Sequence, residues 1–297
     1  MPQRASMPDP PWLSRAAYPF TSRRVELADG SLHYVDEGSG PAVLMVHGTP
    51  TWSFEWRHLV RELSSEFRCI APDHLGFGLS DRPAGADYTP AAHAARLRQF
   101  LEALGLRDLT LVVHDFGGLI GLPLALEQQG LVSRLVVMNS WMWHLGEDPK
   151  VARAARLLGG RFGRFLYGAG NFSLRVMLPA AFADRTKLTG QIRAHYHGPF
   201  PDPASRAQVL WPLARSLGPP SPHADALWAG RSALAGLPAL IIWGMRDPAL
   251  GPHQLTRWQE ALPDAKVSRL EAGHWPQEEE PEAVIAEIHQ FAGRRAA

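Results

Sequence analysis

The run L-T-L-V-V-H-D-F-G-G, from Leu109 to Gly118, joins an unbroken apolar stretch to an acidic residue and then to two glycines. Leu109–Val113 has the composition of a strand buried on both faces. Phe116–Gln129 reads as a helix that stops at Gly130. Asp115 therefore occupies a sharp strand-to-helix turn, the form of a nucleophile elbow with a carboxylate where a serine commonly stands. The two glycines have a steric purpose, since they let the helix pass close to neighbouring strands. A helix N-terminus also favours negative charge, which keeps an aspartate ionised there. Simple helix capping is the plainer reading of the same residue.

Outward from the elbow, strand and helix patterns alternate. Ala42–Val46, Phe67–Ala71, Leu135–Met138, Ala239–Trp243 and Lys266–Leu270 are short apolar or β-branched runs. Helical spacing covers roughly Phe54–Leu63, Pro90–Leu104 (stopped by Gly105), His253–Ala261 and Pro281–Phe291. Arg24–Leu27 and Leu32–Val35 flank the turn Ala28-Asp29-Gly30 and read as a strand pair. Alternation of this kind predicts an α/β fold with a mostly parallel central sheet and helices on both faces. It lapses from Ser140 to Pro222, where helical stretches are broken by Gly159-Gly160, Gly168, Pro179 and Pro199. An inserted helical lid is expected there, which divides the chain into a core of residues 1–139 and 223–297 and a cap of residues 140–222.

Bulk properties narrow the function classes. The chain has 297 residues, enough for one large domain with an insertion. With 45% hydrophobic and 20% charged residues, disorder is excluded. Thirty Lys and Arg balance 29 Asp and Glu, so nothing points to nucleic acid. Residues 147–215 hold eleven Lys and Arg against four Asp and Glu, read as a solvated outer face or an anion-steering one. No apolar run is long enough for a signal peptide or a span, so no membrane partner is expected. The single Cys69 lies in an apolar run, which fits a buried strand thiol, a reducing compartment and a cytoplasmic location. No cofactor and no metal is expected.

Three further segments carry chemistry. L-E-A-G-H-W (Leu270–Trp275) places His274 just beyond the last strand, and I-I-W-G-M-R-D-P (Ile241–Pro248) places Asp247 just after the preceding one. Each residue alone is ordinary. Together with Asp115 they occur in the order nucleophile, acid, histidine, each at the C-terminal end of a parallel strand, where open α/β sheets gather ligands. V-H-G-T-P-T-W-S-F-E-W-R (Val46–Arg57) supplies a His-Gly turn whose amide approaches the nucleophile, half of an oxyanion hole; the Phe116 amide would be the other half. D-H-L-G-F-G-L-S-D-R-P (Asp73–Pro83) lacks the third glycine and the lysine of a phosphate loop, and reads as structural.

At these residues the sequence resembles the haloalkane dehalogenases of the α/β-hydrolase superfamily. The likeness also runs through N-S-W-M-W (Asn139–Trp143), P-F-P-D-P-A-S-R (Pro199–Arg206) and G-H-W-P-Q-E-E-E-P (Gly273–Pro281), so it spans nearly the whole chain. The resemblance implies Asp115 as nucleophile, His274 as base, Asp247 as its orienting acid, and the amides of Thr49 and Phe116 as the oxyanion hole. Two positions depart from the family's pattern. The residue after the nucleophile is usually Trp, whose indole N–H holds the departing halide, and here it is Phe116. Asn or Glu usually precedes the proline of the His-Gly loop, and here it is Thr49. Substitute donors would come from Trp141, Trp143 or Trp211.

A carboxylate nucleophile suits displacement at saturated carbon, which releases a halide or opens an epoxide. The expected substrate is small and apolar, with water as co-substrate, in a monomer or small homo-oligomer. An epoxide hydrolase would polarise the ring oxygen with two tyrosines, for which Tyr167 and Tyr196 are the candidates. A ligand-binding protein that catalyses nothing is the third reading.

Overall fold

The computed structural model describes residues 8–127, 130–147 and 149–293. Gln128 and Gln129, the expected end of the helix after the elbow, lie outside the described residues, as do Asp148 and most of the N-terminal stretch read for a signal peptide.

Among the described residues eight strands form one sheet: β1 (Arg23–Leu27), β2 (Gly30–Glu37), β3 (Ala42–Val46), β4 (Arg68–Pro72), β5 (Leu109–Asp115), β6 (Val132–Ser140), β7 (Ala239–Gly244) and β8 (Lys266–Leu270). Their spatial order is β1-β2-β4-β3-β5-β6-β7-β8. The β1–β2 and β2–β4 pairs are antiparallel and all others parallel. β5 runs up the middle, buried at every position, which is why its sequence is continuously apolar rather than alternating.

The helices before β6 are α1 (Arg57–Leu63), α2 (Pro90–Leu104) and α3 (Gly117–Glu127). Local chemistry sets α2: the Thr89 hydroxyl caps its start, Pro90 opens it, and Gly105 ends it in the left-handed region at φ 62°. The expected helix at Phe54–Leu63 begins instead as a 3₁₀ turn over Ser53–Trp56. Strand β6 is longer than its apolar run because Asn139 and Ser140, polar residues, still belong to it.

Between β6 and β7 no strand occurs among the described residues. The chain makes α4 (Pro149–Gly159), α5 (Arg161–Gly168), a π turn (Ser173–Met177), α6 (Leu178–Ala180), α7 (Gly190–His197), α8 (Pro203–Ser216) and α9 (Pro222–Ala229). The C-terminal part adds α10 (Pro252–Ala261), α11 (Pro276–Glu279) and α12 (Pro281–Ala292). No helix among the described residues is long and apolar enough to cross a membrane. Cys69 is buried in β4, and burial pushes its thiol up to about 12, which leaves it an inert core residue.

Two polar knots hold the upper rim of the sheet. Buried Asp73 accepts from the Ser53 and Leu79 amides, each at 2.8 Å, and faces His33 Nδ1 at 2.8 Å. Its neighbour Gly78 has no room for a Cβ, which would fall 2.1 Å from Asp73 Oδ2. The second knot is a buried fork: Arg57 donates to both oxygens of Glu278 at 2.5 and 2.7 Å, and Tyr196 Oη donates to the same carboxylate. It joins α1, α11 and α7, and so ties the inserted helices to the core. Removing one partner of a buried pair strands the other charge, so Arg57→Met should lower unfolding stability by about 3–5 kcal/mol in denaturant titration. A loss below ~1 kcal/mol would show that the fork is solvated.

Candidate active site

Strand β5 ends on Asp115 in the left-handed region at φ 52°, a conformation that disfavours side chains other than glycine, asparagine and aspartate. Close backbone packing holds it there. A Cβ on Gly117 would fall 2.2 Å from the Val46 carbonyl oxygen, and one on Gly118 would fall 2.2 Å from Ser140 Oγ. Ser140 Oγ donates to the Asp115 carbonyl at 2.6 Å and fixes the turn from the β6 side. Gly48 is required for a different reason. A side chain there would collide with the Asp115 carboxylate, 2.2 Å from Oδ1.

The three residues singled out from sequence meet at the C-terminal ends of β5, β7 and β8. His274 Nε2 lies 3.1 Å from Asp115 Oδ2, and His274 Nδ1 lies 2.6 Å from Asp247 Oδ2. Thr49 N donates to Asp115 Oδ1 at 2.8 Å. Asp247 Oδ1 accepts from the amides of Ala249 and Leu250 at 2.7 and 3.0 Å. Burial alone would push the His274 ring down, but the Asp247 charge and the bonds to both carboxylates outweigh it and push it up to about 10. Asp247 is lowered: burial acts upward, and the charge of His274 together with the two amides prevails.

Residues 41–281 match the family described as alpha/beta hydrolase fold. The chain belongs to that family. It is 34% identical to haloalkane dehalogenase 2 of Mycobacterium tuberculosis, with 93% of this chain and 96% of that protein covered. It is also 34% identical to a cis-3-alkyl-4-alkyloxetan-2-one decarboxylase of Xanthomonas campestris pv. campestris, covering 93% and 97%. Among solved structures, the haloalkane dehalogenase DatA from Agrobacterium tumefaciens C58 superposes with a TM-score of 0.84 at 25% identity, over 93% of this chain and 97% of that one.

One residue of this hydrolase-fold site escaped the sequence reading. Asn139 Nδ2 donates to Asp247 Oδ2 at 2.8 Å, the same oxygen that faces His274. Its other bonds lock it to β7: Gly244 N donates to Asn139 Oδ1 at 2.7 Å, and Nδ2 reaches the Gly244 carbonyl at 3.2 Å. The available signal was a polar residue directly after the apolar run of the neighbouring strand. His114, just before the nucleophile, donates from Nε2 to the His274 carbonyl at 2.7 Å. Wholly buried Glu55 lies 3.4 Å from His114 Nδ1, and burial pushes its carboxyl above the usual range.

The substitute donors separate cleanly. Trp143 Nε1 donates to Gln254 Oε1 and Trp211 Nε1 to the Leu158 carbonyl, both at 2.9 Å, so neither indole is available. Trp211 also lies between Arg164 and Arg215, on the outside of the insertion. Tyr196 is committed to Glu278. Tyr167 is buried and feels the Asp115 charge, which together with burial raises its phenol, while its hydroxyl meets Met177 Sδ at 3.3 Å. Trp141 packs edge-on against Phe116 with ring centroids 4.9 Å apart, and its N–H has no acceptor among the described residues. Of the two expected oxyanion donors, only the Thr49 amide bonds to the Asp115 carboxylate. A donor pair built for a tetrahedral intermediate need not bracket the resting carboxylate.

Because the Asp115 anion helps hold a proton on His274, neutralising that residue should release it at lower pH. Asp115→Asn is expected to lower the His274 midpoint by about one unit or more, read by NMR of the imidazole. An unchanged midpoint would mean that Asp247 alone sets it.

Proposed function

We propose that the chain cleaves carbon–halogen bonds of small apolar haloalkanes through an alkyl ester on Asp115. The observation that carries this is the carboxylate at the left-handed elbow, bonded to a histidine that is itself clamped by a second aspartate. An Asp115 oxygen attacks the halogen-bearing carbon, and the C–O bond forms as the C–halogen bond breaks. Esterification removes one of the two anions that hold the His274 proton. The ring then gives that proton up to solvent more readily and becomes a base for water. Water adds to the Asp115 carboxyl carbon as His274 takes its proton, the Thr49 and Phe116 amides face the developing oxyanion, and collapse expels the alkoxide, which the His274 proton converts to the alcohol. Residues 140–222 serve as the cap over this site.

Departing halide needs donors. Phe116 offers none, and Trp141, in ring contact with it, has an N–H with no acceptor among the described residues. Thr49 stands second: its hydroxyl oxygen is buried without a partner, although the residue itself is partly exposed, so a turn about χ1 would be needed. Trp141→Phe keeps the edge-on packing and deletes the donor. Loss of one hydrogen bond to a forming anion is worth roughly 1.5–3 kcal/mol, so chloride release should slow by about one to two decades, with bromide affected less.

A second reading rests on the decarboxylase relatives, as similar to this chain as the dehalogenases are. Strain in a four-membered lactone would drive ring opening with no halide donor at all. Epoxide opening has weaker support, since Tyr196 is committed to Glu278 and the Tyr167 hydroxyl meets Met177 Sδ.

One experiment separates these. The His274→Ala protein, incubated with a bromoalkane, is expected to retain the alkyl group on Asp115, visible by intact-mass and peptide mass spectrometry. Wild type should yield alcohol and halide. Alkene and carbon dioxide from a dialkyl oxetanone, with no halide from any haloalkane, would replace the first reading by the second. Diol from an epoxide alone would favour Tyr167, and no turnover of any substrate would leave a binding protein.

A further inference from the structure

Every exposed large hydrophobic side chain among the described residues lies in one short part of the chain: Leu157, Phe162, Phe165, Val176 and Met177, each 39–63% exposed. Scattered singly such residues mean nothing, but their confinement to 21 residues of 297 does. Leu157 and Phe162 flank the Gly159-Gly160 break between α4 and α5, and Phe165 lies one turn further along α5. Met177 belongs to the same region, since its sulfur touches Tyr167 of α5.

The charge of the segment is equally one-sided. Residues 149–183 contain six Lys and Arg and no Asp or Glu, although the whole chain is only +1. Arg153, Arg156, Arg161, Arg164 and Arg175 are all exposed. Beside Phe165 a surface groove of about 380 Å³ opens, with Arg161 and Arg164 on one wall and Pro203 and Ala204 on the other.

We infer that this face docks on an anionic phospholipid surface, with Leu157, Phe162 and Phe165 entering the interface and the arginines meeting headgroup phosphates. Apolar side chains interleaved with basic ones on amphipathic helices are what such a surface selects. A second copy of the chain fits poorly, because two such faces would oppose arginine to arginine. Nucleic acid fits poorly too, because large aliphatic and aromatic side chains would stay wet along a phosphate backbone. The absence of a spanning helix does not bear on a peripheral contact. The inference holds whichever substrate Asp115 attacks.

The test is sedimentation of the intact protein with vesicles of phosphatidylcholine alone or mixed with phosphatidylglycerol. Binding should require phosphatidylglycerol and fall as salt rises. Phe162→Ser with Phe165→Ser, and separately Arg161→Glu with Arg164→Glu, should each weaken partitioning about tenfold or more, with unchanged thermal melts. The pair Arg23→Glu and Arg269→Glu makes the same net charge change at exposed sites outside the segment and should leave binding near wild type. Equal binding to both vesicle types, or patch variants that bind like wild type, would overturn the inference. So would a dimer in solution that Phe162→Ser with Phe165→Ser converts to monomer, since a second copy would then cover the face.

Discussion

A carboxylate with a left-handed backbone at the end of a fully buried strand is the constraint on which the rest of the site depends. It combines local strain with the desolvation of a charge, and neither is tolerated unless the surroundings fix the residue from several sides. The turn is held by Ser140 Oγ on the Asp115 carbonyl, and the charge by the Thr49 amide and His274. Glycine at positions 48, 117 and 118 follows from the same demand, because each removes a Cβ that would occupy space taken by the nucleophile or by its flanking strands. The order of the sheet serves it as well. β3 and β6 are the two neighbours of β5, and they supply the His-Gly loop and Ser140.

The electrostatics extend the constraint outward. Asp115 and Asp247 bring two carboxylates against the His274 ring, whose hold on its proton they strengthen, and so gather charge in a buried place. That charge is spread over donors that are themselves fixed: amides of Thr49, Ala249 and Leu250, and the Asn139 side chain. Asn139 matters because it shares Asp247 Oδ2 with His274, so the direction of the acid is set by β6 and not by its own loop alone. An amide in that place neutralises nothing. It orients the acid without competing for the histidine proton.

What could be read in the sequence follows from range. The strands, the elbow glycines and the order Asp115, Asp247, His274 are legible because each depends on residues within a few positions of itself and on a sheet whose strand ends converge. The fork of Arg57, Glu278 and Tyr196 was not, since its partners are separated by 221 and 82 positions and each looks like an ordinary surface residue in isolation. Tyr196 illustrates the error this causes. As a lone tyrosine in the insertion it is a candidate acid, and only its burial against Glu278 shows it to be a structural donor. The tryptophans divide for the same reason: Trp141, Trp143 and Trp211 are equivalent as letters, and what separates them is whether an acceptor already meets the indole N–H.

The insertion is unequal along its length, and the inequality has a physical basis. Its α7 end is fastened by directional bonds: Trp52 Nε1 donates to the His195 carbonyl at 2.9 Å, the Ser14 amide donates to His195 Nε2 at 3.0 Å, and the His195 ring stacks on Phe54 at 4.2 Å. Arg206 of α8 donates to the Gly168 and Phe200 carbonyls, each at 2.9 Å, and so secures the junction between the two ends. The α4–α5 end makes a different kind of contact. Its buried Tyr167 has a hydroxyl that meets a thioether and not a strong acceptor, while Leu157, Phe162 and Phe165 face outward. Bonds to the core therefore fix the half of the insertion nearest Glu278, while the α4–α5 half is bonded to α8, by Trp211 Nε1 on the Leu158 carbonyl and Arg206 on the Gly168 carbonyl. The composition of the segment follows that division: His195, Tyr196 and His197 sit together on α7, where bonds are made to the core, and Arg153, Arg156, Arg161 and Arg164 accompany Leu157, Phe162 and Phe165 where the outer surface is formed.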